Sequence, residues 1–380
     1  RYGSSAASDV YKRQVNTPTA SASSYVAGVS ESDFEMLQIN DYNFVLNRSI
    51  TTDTLATTSP VRNPEALAIV RLVSYDSNYV ITLDGTAYTF ATPATGTVSI
   101  SSVVSGLAAA IPNTYVVTTT SNVLHIRKAD NSDFSIQANG SLSSSALEAF
   151  KSTVRDVADL PGSCVDGMVF KVQNSADLEG DDYYVKFIVS GTATEGVGVW
   201  EETIAPGIIT TIDPAKMPHA IIRESNGTFT FRSLNEAEKD GDDLYWCERR
   251  VGDNDSNPMP TFVGNKISGI SFFRNRLVLL SGANVICSQP GSFFNLFRVS
   301  ALTTSDADGI DLASGSTKPV NMRYAVGDQL GLLIFSEHFQ FMLTAEGDTF
   351  GPSSAQLKTF NTFTILSLIH ISEPTRQWSI

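Results

Sequence analysis

Cysteine is scarce in this chain: its 380 residues include three, Cys164, Cys247 and Cys287. An odd number at wide spacing excludes a disulfide framework or a zinc ribbon as the source of stability. Buried free thiols are expected instead, the normal state in a reducing compartment. Long apolar runs are also missing. The longest core-like run, Leu330 to Phe335, has the length of a strand, far short of the ~18 residues of a membrane-spanning helix, so no membrane span is expected. Basic residues are few, 26 against 40 acidic, giving a net charge of −14. No basic run exceeds Arg249-Arg250. Phosphate neutralisation needs clustered Lys and Arg, so simple nucleic-acid binding is disfavoured. The Walker loop, the nucleophile elbow, the zinc-protease helix motif, the dinucleotide turn and the EF-hand loop are all absent. The four histidines, His125, His219, His338 and His370, are far apart, and neither a metal centre nor a cofactor is expected.

What is present suits a globular β protein. Hydrophobic residues make up 42% and charged residues 17%, enough to build a core rather than a disordered chain. Ser, Thr, Val and Gly are abundant and helix-forming blocks are scarce, which favours strands and turns. The expected fold class is mainly β with a small α+β (ββαββ) domain. Both ends look foreign. Ser4 to Gln14 (SSAASDVYKRQ) and Ser367 to Gln377 (SLIHISEPTRQ) read like translated sequencing-adaptor sequence, so 1–14 and 366–380 are expected to be non-native tails and are set aside.

Residues 15–64 read as an N-terminal β segment and connector, with strands near Phe34 to Ile39 and Tyr42 to Leu46 around an Asn40-Asp41 turn. Residues 65–140 form a unit. Tyr79, Ile81 and Leu83 alternate up to Asp84-Gly85, and Ala87 to Phe90 follow, the strongest short-range hairpin signal. Ile100, Val103, Val104, Leu107, Ala108 and Ile111 then share one helical face, ended by Pro112 and Asn113. A second hairpin turns at Ser121-Asn122. The order ββαββ suggests one helix over one small antiparallel sheet. Residues 141–162, Ser-rich and then weakly helical, read as a linker. Residues 163–365 are almost all β, with hairpins or meanders at 183–202, 220–232, 269–288 and 320–344, as in a sandwich, barrel or propeller. Arg276 to Leu280 is apolar on both faces, as in a central strand.

Candidate chemistry is thin. Asp182 and Glu201 sit on strands that can pair, and two carboxylates ~5–10 Å apart could hydrolyse a glycosidic bond. Asp306, Asp308 and Asp311 share a Gly/Ser-rich loop that could offer oxygen ligands to a cation, although solvated acidic turns are the commoner outcome. Trp200 and Trp246 suit a core better than a sugar platform. Across 272–277, Phe272 and Leu277 are expected to pack, with Arg274 and Arg276 holding a neighbouring strand's carboxylates.

The segment Tyr183 to Phe363 resembles the tail tubular protein B (nozzle) family of autographivirus-type short-tailed bacteriophages. Asp182-Tyr183-Tyr184-Val185-Lys186, Val199-Trp200-Glu201-Glu202 and Lys216-Met217-Pro218-His219 carry the likeness. More specific are Val251-Gly252-Asp253 with Asn257-Pro258, and Phe272-Phe273-Arg274-Asn275-Arg276-Leu277 with Ser281-Gly282 and Phe293-Phe294. Asp33 to Arg48 looks like the family's N-terminal segment. The resemblance implies a virion tail protein assembled in the host cytoplasm, a structural subunit of a hexameric ring. That ring docks on the adaptor (tail tubular protein A), carries tail fibres, and encloses the channel through which genomic DNA leaves without specific binding. It also implies that the β-rich part is a partial β-propeller, truncated here. A competing reading is a phage or extracellular β-domain that binds or cleaves cell-surface glycan.

Overall fold

The computed structural model describes residues 19–39, 42–173, 182–224, 227–238, 244–316, 319–347 and 349–362. Both suspected foreign tails, 1–14 and 366–380, lie outside those residues. The described chain is mainly β, with two α-helices, Ala20–Val26 and Ile100–Ala110.

Local chemistry sets the first hairpin. Asp84 (φ 48°) and Gly85 (φ 81°) both take the left-handed backbone that a two-residue turn demands, and Asn78–Leu83 pairs with Thr86–Ala91. The helix Ile100–Ala110 begins at a reciprocal cap in which the Ser99 hydroxyl accepts from the Ser102 N–H and the Ser102 hydroxyl from the Ser99 N–H. The second hairpin, Tyr115–Thr120 with Val123–Lys128, turns at Ser121 (φ 53°).

The two hairpins do not share one sheet, contrary to the expectation from sequence. Glu65–Val70, apolar on both faces, pairs with Val123–Lys128 on one side and Leu147–Phe150 on the other. Ile136–Gly140 joins the first hairpin instead. A four-stranded and a three-stranded sheet result. Ala66, Ala68, Tyr79, Ile81, Leu83, Val103, Leu107, Leu124 and Ile126 close one core between them and the helix. The weak helical tendency after Ser145 is also overruled: Leu147–Phe150 is a strand, and Leu147 is fully buried. Its partner Val70 offers an apolar ladder that an isolated helix could not match.

A five-stranded sheet follows, in the order Thr153–Val154, Val169–Val172, Tyr183–Val189, Glu195–Thr203, Ser163–Val165. Tyr183, Val185, Phe187 and Val189 point inward and meet Leu67 and Val123 of the preceding sheet. A full burial of each such side chain stabilises by about 1.5–3 kcal/mol. Phe34–Ile39 and Tyr42–Asn47 pair with each other and then with His219–Arg223, which pairs with Phe229–Arg232. The turns at 40–41 and 225–226 lie outside the described residues.

Two four-stranded antiparallel meanders complete the chain. The first comprises Gly269–Phe273, Arg276–Ser281, Asn284–Cys287 and Ile310–Ala313; the second Met322–Gly327, Leu332–Ser336, Gln340–Ala345 and Ala355–Asn361. Arg276–Ser281 is an interior strand buried along its length, as its sequence suggests. Leu277 and Leu279 face a core with Phe44, Leu46, Trp246 and Phe262, while Val278 and Leu280 face Leu332, Ile334, Phe341 and Leu343 of the second meander. At the seam, a Cβ on Gly269 would lie 2.3 Å from the Arg323 carbonyl oxygen, so only glycine lets the two first strands approach. The Ser268 hydroxyl donates to the Met322 carbonyl there.

Candidate functional site

The most specific sequence features converge on two buried arginines rather than on a reactive cleft. Arg276 opens the interior strand of the first meander and is 1% exposed. One of its terminal nitrogens donates to the carbonyls of Ser288 (2.7 Å) and Asp308 (2.6 Å). The other donates to those of Asp306 (2.5 Å) and Phe350 (3.1 Å). Its guanidinium lies 5.7 Å from the Phe350 ring centroid. One side chain thus fastens the first meander, the loop before Ile310 and the second meander. Burial draws the guanidinium's pKa below its usual value, but an arginine stays charged in a protein, and carbonyl dipoles supply the compensation. The expectation that Arg274 and Arg276 hold carboxylates is corrected for Arg276, whose four acceptors are main-chain oxygens. Arg274 and Asn275, at φ 46° and 59°, form the hairpin turn, with the Arg274 guanidinium 5.7 Å from the Phe273 ring centroid.

The neighbouring motif residues support this joint. Leu277 is fully buried, and Phe272 meets Phe293 edge-on at 5.5 Å. Phe273 meets Phe350 at 5.4 Å and Phe294 meets Trp246 at 5.7 Å, both edge-on. The Ser281 hydroxyl donates to the Lys266 carbonyl, and Gly282 turns the chain at φ 56°. Below the loop, the fully buried Asp308 carboxylate accepts from the N–H groups of Ser305 and Val299.

The second arginine, Arg249, is also 1% exposed. It donates to the carbonyls of Asp253, Asn257 and Ile209 and to the Asn254 side-chain oxygen. Asn257 crosses to the joint's loop: its amide donates to the Val251 and Arg298 carbonyls and its oxygen accepts from the Arg298 N–H. Burial would raise the Asp253 pKa, but hydrogen bonds from Ser256 and the Asp255 N–H outweigh it and hold the carboxyl below the usual range. Pro258 is exposed at the rim of a cleft. Sequence reasoning passed over Arg249, because nothing in Glu248-Arg249-Arg250 distinguishes it from the exposed Arg250.

The profile of the family described as bacteriophage nozzle protein matches residues 7–371. The chain belongs to that family. It is therefore a structural chain of the phage tail, and the resemblance read from its motifs holds. The tail tubular protein gp12 of Escherichia phage T7 is 34% identical over 206 residues, 54% of this chain and 24% of that relative. The chain thus spans about a quarter of the curated relative it matches.

For this nozzle-family chain the catalytic candidates do not assemble. Asp182 is buried and paired with Lys171 at 2.7 Å. Glu201 stands opposite Lys186 in the strand register, four residues further along, or about 13 Å at strand rise. That exceeds the span of a glycosidase carboxylate pair, and the glycan reading is not favoured. Glu202 accepts from the Ser300 hydroxyl and the Ala301 N–H. The expected shared acidic loop is corrected: Asp311 lies in the strand Ile310–Ala313, and its carboxylate accepts from the Thr261 N–H and hydroxyl. Among the described residues no three His, Cys, Asp or Glu are placed to hold a metal. His125 bonds Glu65 at 2.6 Å, and His219 stacks on Tyr25 at 3.9 Å. His338 is exposed, and His370 is outside the described residues. Trp200 packs between Phe170 and Phe187 and donates to the Pro161 carbonyl; Trp246 donates to that of Pro218. All three cysteines are free thiols, Cys164 and Cys287 buried and Cys247 half-buried. No helix among the described residues is long and apolar enough to cross a membrane.

Proposed function

We propose that this chain is part of a non-enzymatic ring subunit of a phage tail nozzle. In this reading six copies surround the channel for exiting DNA, dock on the adaptor (tail tubular protein A) ring and carry tail fibres. The observation that carries it is the pair of consecutive four-stranded meanders locked by Arg276. These are read as two blades of a partial propeller, a rigid body suited to bearing load and poor in reactive groups. Residues 65–150 are read as a platform-like α+β body. Residues from 163 onward form the β body, to which 34–47 lend a hairpin. An acidic chain, at −14, repels duplex phosphates within the Debye length of ~8 Å, which limits drag on passing DNA. Electron microscopy of the chain mixed with adaptor rings tests the reading. Six-fold rings are the expected result; a persistent monomer at high concentration would overturn it.

A further inference from the structure

Beside the first meander lies a cleft of about 370 Å³ between residues 257–261, Leu296–Arg298 and the edge strand Ile310–Ala313. Pro258, Met259, Pro260, Leu312 and Pro352 make its walls apolar. Arg298 also lines it, half-buried, and its guanidinium has no hydrogen bond or ion pair among the described residues. Asp311, also in the lining, is already engaged by Thr261. A half-buried cation facing apolar walls in a chain of net charge −14 gains most from a carboxylate delivered from outside.

The chain carries such a group. The hairpin tip between Met322–Gly327 and Leu332–Ser336 exposes Leu330 at 75%, the highest of any large apolar side chain among the described residues, and Val326 at 55%. Exposed Asp328 lies between them. The tip is held in shape by the Asp328 N–H to Gly331 carbonyl bond at 2.8 Å. We propose that the 326–330 tip of one copy seats in the Arg298 cleft of a second copy. Leu330 packs on the prolines and Met259, and the Asp328 carboxylate meets the Arg298 guanidinium. Two different patches meet, so the contact is heterologous and propagates from copy to copy, as a ring requires. The inference rests on the ring-subunit reading above.

Sedimentation velocity of the 380-residue chain over a concentration series tests it, with circular dichroism as the check on folding. Arg298→Glu and Asp328→Arg should each weaken self-association by about tenfold or more, and Leu330→Ser should weaken it too. The double variant Arg298→Glu/Asp328→Arg should restore it. Should Arg298→Glu disturb the fold, Arg298→Gln and Asp328→Asn replace the reversals, and the double variant should then lose no more than either single one. Unchanged association in both single variants, or failure of the double variant to recover, overturns the docking and leaves the ring reading standing. A wild-type chain that never self-associates overturns the docking; if adaptor rings cannot induce assembly either, the ring reading fails with it.

Discussion

Replacing Arg276 with methionine keeps an apolar stem of similar reach and removes the guanidinium. Four main-chain carbonyls, those of Ser288, Asp306, Asp308 and Phe350, then lose a charged donor. Each buried acceptor left without a partner costs about 1–3 kcal/mol. Against this stands relief from burying an arginine, since an apolar substitute spares the desolvation that a buried charge requires. Some carbonyls also relax toward solvent. The net loss should be about 3–5 kcal/mol, near the low end of the gross cost of four unpaired acceptors. Arg276→Lys, with a point charge that reaches fewer carbonyls, should lose about 1–3 kcal/mol. Urea unfolding followed by tryptophan fluorescence reads the stability. Native-state hydrogen exchange locates the loss, which should concentrate in 299–309 and 349–355 and spare the helix Ile100–Ala110. A change below about 1 kcal/mol, with unaltered exchange in both segments, would refute the claim that this side chain joins the meanders.

Other expectations follow from named contacts. Gly269→Ala should destabilise by about 1–3 kcal/mol, because the new methyl meets the Arg323 carbonyl at the seam; equal stability of the variant would contradict the close approach. Asp84 is held down to about 2 by hydrogen bonds from Lys128, the Ser135 N–H and Tyr115. Its folded pKa lies below the ~3.9 of an unfolded Asp, so its contribution is complete above that value and is lost as pH falls toward 2. An NMR titration of its carboxyl carbon with a midpoint near 4 would show the contacts to be ineffective. Burial pushes the thiols of Cys164 and Cys287 up to about 12. A maleimide should therefore modify half-buried Cys247 first in the native chain and the other two only on unfolding; mass spectrometry of peptides reads the order.

Much of this architecture is legible in the amino-acid order, because turns and periodicity are local. Asp84-Gly85 and the apolar face from Ile100 to Ile111 marked their elements to within a residue. The apolar run Leu277 to Leu280 marked an interior strand. What failed is what depends on partners distant in sequence. Nothing near Leu147 announces that Val70 will be its neighbour, and nothing near Phe34 announces His219–Arg223 as a third strand beyond Tyr42–Asn47. The candidate site was legible as a motif and not as a mechanism. Arg276 stood out among the quoted residues, but carboxylates are the default partners of arginine, and carbonyls of three separate segments leave no trace in composition. Arg249 and Arg298 were silent for the same reason: their roles come from what surrounds them.

A clasp made of main-chain oxygens, sealed from water, leaves little for dissolved ions to screen. Exposed pairs such as Lys216 with Asp53 weaken in brine, whereas the grip of Arg276 on its four oxygens does not. A particle that passes between fresh and saline surroundings before meeting a host would keep this part of its tail equally stiff in each.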